Sequence, residues 1–179
     1  MAKGVRMDTN VTISCTHDLV DWDRLADIFT HAPFATRHPS DIQKAFTNSY
    51  ACCFAFTCNG THDGGLLGAA RAISDGVYYA VVLDVVVALE HQGHGVGHAL
   101  MSALLEKLPL EKIYLTAPPD KQDFYKKFGF YKHNNTMARY AHPEAAFEHG
   151  VLSKREPWSL ARLSRNFTGS KPSNNQMFE

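Results

Sequence analysis

The chain has 179 residues, and its 18 Lys+Arg residues balance 18 Asp+Glu residues, so its formal net charge is zero. This length predicts one domain with an appendage, and an apolar content of 45% argues against intrinsic disorder. A neutral chain lacks the excess of cations that general nucleic-acid binding requires, although a local site for a small charged ligand remains compatible with it. The 10 histidines make the net charge depend on pH.

The N-terminal residues and the cysteines indicate the compartment. No apolar run of signal-peptide length follows Lys3 and Arg6. The longest apolar stretch, residues 77–89, is interrupted by Asp84 and is too short to span a membrane. The four cysteines follow no zinc-ligand spacing; they are Cys15, Cys52, Cys53 and Cys58. Cys52 and Cys53 fall in an apolar strand-like run, which favours small buried thiols. A cysteine nucleophile is the alternative, for which no basic partner stands nearby in sequence. We expect a cytoplasmic protein with no metal and no membrane partner.

The first half of the chain predicts strands and two helices. A helix is expected after Asp18 or Asp21, ending near residue 31, and a short helix over residues 41–47 is expected with Ser40 as its cap. Alternating or continuous apolar residues predict four strands, at residues 10–16, 51–58, 66–74 and 77–87.

The second half predicts a helix over residues 96–107, a strand over residues 113–117 and a helix from Asp120 to Phe128, closed by Gly129. Residues 130–140 are expected to form the last strand or strand pair, and Pro157 is expected to start a further helix. Strands that alternate with helices predict a mixed α/β (α+β) sheet. We predict one domain over residues 1–142 and a C-terminal extension over residues 143–179 that is partly helical with a frayed polar tail.

The most informative segment is a glycine-rich loop between a strand and a helix. Residues 92–98 read Gln-Gly-His-Gly-Val-Gly-His. Such a loop directs unpaired backbone N–H groups and the positive end of the helix dipole at one point, which suits a pyrophosphate. The spacing does not fit a dinucleotide-binding fingerprint, and no Gly-Lys-Ser/Thr follows. A flexible turn that caps an ordinary helix is the alternative.

A second motif decides between these interpretations. This motif consists of Phe124-Tyr125 followed by Gly129-Phe130, and one predicted helix and one predicted strand separate it from the glycine loop. Together with the glycine loop, this motif resembles the GCN5-related N-acetyltransferase (GNAT) superfamily over residues 66–140. The resemblance implies the GNAT fold, which is a mixed, mostly antiparallel sheet flanked by about four helices, with splayed strands that form a cleft for acetyl-CoA.

Two further strings give a closer resemblance. Ala70-Arg71-Ala72-Ile73-Ser74-Asp75 and Asp84-Val85-Val86-Val87 are similar to strings in plant-type serotonin N-acetyltransferases and their small microbial relatives. The second string is also similar to one in glucosamine-6-phosphate N-acetyltransferases. The resemblance therefore implies direct acetyl transfer to a primary amine. A small aryl-alkylamine is the first choice for the acceptor. Amino-sugar phosphates, polyamines and protein lysines remain alternatives, as does a non-catalytic acyl-CoA-binding module.

Two residues are candidates for catalysis, Tyr125 because of the resemblance and Asp84 because of its position in the strand. Tyr125 would protonate the departing thiolate. Asp84, a carboxylate within an apolar strand, would be the general base or would attract the cationic acceptor; its alternative is a structural bond to backbone or to Arg71. Strand alternation predicts that Asp84 shares a face with Val82 and Val86.

The residues expected to bind the cosubstrate lie at the end of this strand, in the loop and near the second motif. They are Val85, Val86, Val87, Gln92, Gly93, His94, Gly95, Val96, Gly97, His98 and Lys121. His94 and His98 stand where the family usually has a permanent cation, so their protonation is hypothesised to strengthen CoA binding. The alternative is that both rings pack or face water, and Lys121 has the alternative of a solvated side chain.

The residues expected to contact the acceptor are Phe34, Arg37, Tyr78 and Tyr79, with His38 nearby. Aromatic rings suit an aryl or alkyl amine, whereas Arg37 would suit a phosphate or carboxylate on the acceptor. A small-molecule amine is the expected partner, a homodimer is a candidate assembly, and no nucleic-acid partner is expected.

Overall fold

The computed structural model describes residues 11–31, 37–57, 65–134 and 136–152. Within them, five strands form a sheet in the order β1-β2-β3-β4-β5. The strands are β1 (Val11–Ser14), β2 (Ala51–Thr57), β3 (Leu66–Ser74), β4 (Tyr79–Val87) and β5 (Lys112–Leu115). Neighbouring strands are antiparallel except β4 and β5, which are parallel. The sheet is therefore mixed and mostly antiparallel, as predicted.

Five α-helices accompany these strands in the described residues. They are α1 (Trp22–Thr30), α2 (Pro39–Thr47), α3 (Val96–Glu106), α4 (Gln122–Lys126) and α5 (Glu144–Glu148). Short 3-10 turns occupy Leu89–His91 and Pro119–Lys121. Within this part of the chain, no helix combines the length and the apolar character that crossing a bilayer requires.

The chain divides into two compact units, between Gly129 and Phe130. The first unit contains the sheet and the helices α1 to α4, and the second contains α5. Gly150, two residues after the end of α5, has a positive φ of 68°. The predicted domain boundary at residue 142 stays a prediction, and the helix predicted after Pro157 lies outside the described residues.

The predicted helix starts are confirmed for α1 and corrected for α2. Asp21 caps α1, since its carboxylate accepts a hydrogen bond from the Arg24 N–H at 2.9 Å. Helix α2 begins at Pro39 rather than residue 41, with His38 rather than Ser40 as its cap. Proline suits the first helical position because its φ is already helical and the N–H that it lacks would have had no partner there.

The last strand or strand pair predicted for residues 130–140 is wrong for the described part of that segment, residues 130–134 and 136–140, which forms no strand. Tyr131 and Met137 are 92% and 81% exposed there. A strand or lone hairpin gains stability mainly by burying an apolar face, and these large side chains bury almost nothing.

Apolar side chains cover both faces of the sheet in the first unit. Helices α1 and α2 bury one face around a cluster of aromatic and aliphatic residues that includes Leu25, Phe29, Phe46, Phe54, Ala69 and Val86. On the other face, α3 contributes Val96, Leu100, Met101 and Leu104 to the buried core. This two-sided burial holds β3 and β4, which carry the candidate site, between two helical layers.

A close approach of β4 and α3 to β3 depends on a glycine. A Cβ built on Gly68 would lie 2.3 Å from the Val86 carbonyl oxygen and 3.3 Å from Leu100 Cδ1. The first distance is far below van der Waals contact and involves backbone, which cannot move aside without disturbing the ladder.

We therefore expect Gly68→Ala to lower the free energy of unfolding by about 1–3 kcal/mol through overpacking. Gly97→Ala is the matched control, because its Cβ would make ordinary contacts of 3.6 Å to Phe124 and Val87. In a helix this change should be neutral or stabilise by up to ~1 kcal/mol. Urea denaturation of both variants measures the difference, and equal stabilities would contradict the close packing.

Candidate active site

The strands β4 and β5 separate part of the way along their length. Their parallel pairing runs from Tyr79 and Lys112 to Val82 and Leu115, and β4 continues alone to Val87. Backbone groups on that edge of β4 have no β5 partner. Apart from the Val87 carbonyl oxygen, to which the Gln92 side chain donates a hydrogen bond, they are available to an extended ligand that lies alongside like an added strand. Val85, Val86 and Val87, expected to bind the cosubstrate, all lie in this segment.

The glycine loop joins this free end of β4 to α3. Gly93 and Gly95 have φ values of 80° and 91°, in the left-handed region that favours glycine. Gly95 is the N-cap of α3, and no side chain of the described residues bonds the first N–H groups of the helix. These donors and the positive helix end converge where the sequence predicts a pyrophosphate.

The Gln92 side chain anchors the loop to the strand. Its Nε2 donates a hydrogen bond to the Val87 carbonyl oxygen at 3.0 Å. Gln92 was expected to contact the cosubstrate, and the structure gives it a bond that fixes the loop against β4.

We expect Gln92→Leu to raise the dissociation constant for CoA by about fivefold, because one neutral hydrogen bond contributes about 1 kcal/mol. Titration calorimetry with CoA measures the change. Gln43→Leu serves as the matched control, since this side chain is exposed on α2 and lies outside the candidate site. A Gln92→Leu protein with unchanged CoA affinity would refute the anchoring role.

The two loop histidines differ in their surroundings. Both His94 and His98 are exposed. The His98 ring lies 4.8 Å from the Phe128 ring, and its Nδ1 is 3.5 Å from the Ser102 hydroxyl. His98 therefore packs against the end of the α4 segment, which favours the packing alternative for this residue, whereas the hypothesis of a protonated phosphate ligand remains open for His94.

Helix α4 packs against the loop through Phe124. The Phe124 ring and a Val87 methyl both lie 3.6 Å from the Cβ position of Gly97. The small residue at 97 thus lets the second motif pack against the end of β4 and the start of α3. Sequence order alone separates these segments by about 30 residues, and the fold brings them together.

Tyr125 follows Phe124 on this helix, with the two rings 5.0 Å apart in an edge-to-face arrangement. Burial raises the pKa of the Tyr125 phenol above its ordinary value. Since the raised pKa keeps the proton on the oxygen at physiological pH, the group is suited to donate a proton rather than to accept one.

A β-bulge determines on which face of the sheet the Asp84 side chain lies. Opposite β3, the register shifts so that Arg71 faces both Leu83 and Asp84. As a result Val82 pairs with Ala72, whose side chain lies on the opposite face from Arg71. The predicted common face of Asp84 and Val82 is therefore wrong, because the extra residue of the bulge interrupts the alternation.

Two arginines hold the Asp84 carboxylate. Arg71 Nε donates to Oδ2 at 2.5 Å and Arg37 Nη1 donates to Oδ1 at 3.1 Å, while the Asp84 side chain is only 4% exposed. Arg71 also lies 3.3 Å from the Ser49 hydroxyl and over the Phe46 ring. Both carboxylate oxygens are occupied, which favours the structural alternative for Asp84 over the general base.

The remaining acceptor residues do not gather at one place. Arg37 lies over the Phe29 ring, 4.9 Å from its centroid, beside Asp84. Tyr78 and Tyr79 lie at the opposite end of β4, and Tyr79 stacks on Tyr114. Five residues of strand separate Tyr79 from Asp84, about 16 Å. Phe34 lies outside the described residues.

Sequence reasoning gave Arg71 no role beyond that of an alternative partner for Asp84. Its signal was present, because an arginine between alanines in an apolar strand must find a buried counter-charge. In the described residues, no group of three or more His, Cys, Asp or Glu side chains is arranged to hold a metal ion.

Comparison with known proteins agrees with the resemblance to GNAT acetyltransferases that the two sequence motifs indicate. Residues 51–132 match the model of the acetyltransferase (GNAT) domain. The uncharacterized N-acetyltransferase ycf52 of Pyropia yezoensis is 41% identical over 70 residues, which cover 37% of this chain and 40% of that protein. Serotonin N-acetyltransferase 2, chloroplastic, of Oryza sativa subsp. japonica is 32% identical over 114 residues, which cover 62% and 56%.

The crystal structure of an acetyltransferase assigned to the GNAT family from Xanthomonas campestris superposes with a TM-score of 0.62 at 27% identity, covering 73% of this chain and 93% of that one. Residues 51–132 thus match a GNAT acetyltransferase domain, and the chain has the GNAT fold. It spans about half, or less, of the length of the two curated relatives described above.

Proposed function

We propose that this protein is an acetyl-CoA-dependent N-acetyltransferase that transfers the acetyl group directly to a primary amine. The observation that carries the proposal is the combination of three features. They are the edge of β4 that β5 leaves unpaired, the start of α3 with its glycine N-cap, and Tyr125, whose helix packs on Gly97. The names of the two curated relatives, both N-acetyltransferases, support the same activity.

Each feature has a role in the transfer. Backbone N–H groups of the segment Val85 to Val87 would orient the acyl arm of the cosubstrate and stabilise the oxyanion that develops on the thioester carbonyl. The loop from Gln92 to His98 would hold the pyrophosphate. Tyr125 would donate its proton to the departing thiolate. The amine must lose a proton before or during attack, and water is the proton acceptor if Asp84 stays paired.

The acceptor has two candidate classes. A small aryl-alkylamine is the first, and the printed name of the rice relative, a serotonin N-acetyltransferase, supports it. The second is an amine that carries a carboxylate or phosphate. Two guanidinium groups, those of Arg37 and Arg71, lie beside Asp84, and guanidinium groups suit a carboxylate or phosphate on the acceptor.

Matched pairs of amines separate the two classes. Release of free thiol from acetyl-CoA is measured with tryptamine against tryptophan, glucosamine against glucosamine-6-phosphate, and cadaverine against lysine. An aryl-alkylamine enzyme should prefer tryptamine and serotonin, whereas an anion-selective enzyme should prefer the anionic member of each pair and should lose this preference in Arg37→Gln. A protein that binds CoA but acetylates none of these amines, nor a lysine peptide or a polyamine, would contradict the proposed activity.

The protein is further proposed to act in the cytoplasm on a small-molecule partner. The predicted homodimer and the predicted lack of a nucleic-acid partner stay predictions, each open to a simple solution measurement. Size-exclusion chromatography with light scattering tests the first, and salt-dependent binding to duplex DNA tests the second.

A further inference from the structure

A pair of thiols lies at the β1 edge of the sheet, outside the candidate active site. Cys15 directly follows β1, and Cys53 lies in β2. The two strands are antiparallel, with Ser14 opposite Phe54, so the next pair in the same register is Cys15 opposite Cys53. Their Sγ atoms are 2.8 Å apart.

This separation is shorter than the roughly 3.5–4 Å at which uncharged heavy atoms normally rest in contact. Directly opposite residues of an antiparallel pair have Cα atoms about 4.5–5.5 Å apart, which lies within the range of 4.4–6.8 Å that a disulfide spans. The two thiols can therefore bond with small side-chain rotations and no movement of the strands.

We propose that Cys15 and Cys53 form a reversible modification site, in which they become a cross-strand disulfide by exchange with a small-molecule disulfide of the glutathione type. The bond would tie the four-residue edge strand β1 to β2. Short edge strands have few ladder hydrogen bonds, so a covalent link there restrains the segment most prone to open.

Disulfide formation by exchange takes two steps, and the difference in solvent exposure between the two cysteines determines which of them reacts first. Cys15 is partly exposed whereas Cys53 is fully buried. The Cys15 thiolate attacks one sulfur of oxidised glutathione, forms a mixed disulfide and releases one glutathione thiolate, which takes up a proton. The Cys53 thiol then loses its proton, its thiolate attacks Cys15 Sγ, and a second glutathione leaves. Two protein thiols are oxidised, and one external disulfide is reduced to two thiols.

The raised pKa of Cys53 slows the second step, in which Cys53 attacks the mixed disulfide, whereas its position beside Cys15 makes that step selective for this pair. Burial and the neighbouring Cys15 raise the pKa of the Cys53 thiol, while Lys107 acts in the opposite direction. Once Cys15 is in the mixed disulfide, it can no longer hold a negative charge beside Cys53. Cys53, whose sulfur is already positioned next to Cys15, then resolves the adduct.

Cys52 is the natural control within this cluster. It is adjacent to Cys53 in the strand, and its side chain lies on the other face, 3.2 Å from His17 Nε2. Burial raises the pKa of the Cys52 thiol to about 11. In the structure the Cys52 sulfur contacts His17, whereas the Cys53 sulfur contacts Cys15, so Cys52 is the chemically matched thiol outside the contacting pair.

The test is native incubation of the full chain with oxidised glutathione, followed by intact mass and non-reduced peptide mapping. The wild type and Cys52→Ser should each lose two hydrogens and yield a peptide linking Cys15 to Cys53. Cys53→Ser should instead retain one glutathione on Cys15, because its resolving thiol is missing. Cys15→Ser should carry no adduct on Cys53.

A disulfide that joins any other pair, or a wild type that retains glutathione on Cys15 without resolution, would overturn the proposal. If a variant does not fold, alkylation of the wild type with iodoacetamide tests the same proposal without a substitution. Prior oxidation should protect Cys15 from the reagent, and dithiothreitol should restore its reaction; equal labelling before and after oxidation would also overturn the proposal.

Discussion

Replacing Tyr125 by phenylalanine should lower kcat by about 10²–10⁴-fold, the range attributed to a general acid, while the affinity for acetyl-CoA stays nearly unchanged. The substitution removes only the phenolic hydroxyl and keeps the ring that packs edge to face on Phe124. Steady-state kinetics with saturating amine give kcat, and calorimetry with CoA gives the affinity. Tyr131→Phe is the matched control, since Tyr131 is 92% exposed.

The pH profile gives an independent check on the same residue. Burial raises the pKa of Tyr125, so the acid form that donates the proton persists to higher pH than for an exposed tyrosine. The alkaline limb of kcat should therefore lie above pH ~10, the ordinary value for a phenol, and should be absent from the residual activity of Tyr125→Phe. Unaltered turnover in Tyr125→Phe would refute its role as the acid.

Replacing Asp84 by asparagine should lower the free energy of unfolding by about 3 kcal/mol, because it removes the counter-charge of two arginines. The Arg71 side chain is only 12% exposed and would keep its charge without a carboxylate partner. The Arg37 side chain is 35% exposed and would be partly rehydrated, which keeps the loss near the lower end of the range for broken buried pairs. Urea denaturation measures the effect.

Asp123→Asn is the control for the Asp84 substitution. The Asp123 carboxylate pairs with Lys126 at 2.7 Å, but both side chains are largely exposed, and the change should leave the free energy of unfolding close to that of the wild type. If Asp84→Asn folds as stably as the wild type and loses only kcat, Asp84 is the general base and the structural interpretation is contradicted.

Much of the site followed from the sequence because its elements are local. The glycine loop, the β-branched strand before it and the apolar helix after it each have a short-range signature, and the structure places β4 and α3 within two residues of the predicted ends. The second motif could be predicted as a helix closed by Gly129, and that glycine has the expected positive φ of 80°.

What the sequence could not supply depends on register. The bulge opposite Arg71 results from a one-residue mismatch between two strands, which no periodicity within β4 reveals. The proximity of Cys15 and Cys53 has the same origin, since 38 residues separate them and only strand pairing brings them together. Composition can also mislead. Residues 130–134 and 136–140 have a strand-like composition but form no strand, and large side chains there stay exposed.

The measurement that tests direct acetyl transfer most directly is a single-turnover experiment with protein in excess over acetyl-CoA. Free CoA is followed by a thiol reagent, first without an amine and then after addition of the best acceptor from the matched pairs. Direct transfer predicts no CoA release until the amine is added, and then one CoA and one N-acetylated product per acetyl-CoA. Stoichiometric CoA release before the amine, with the acetyl group retained on the protein, or no release with any amine, would contradict it.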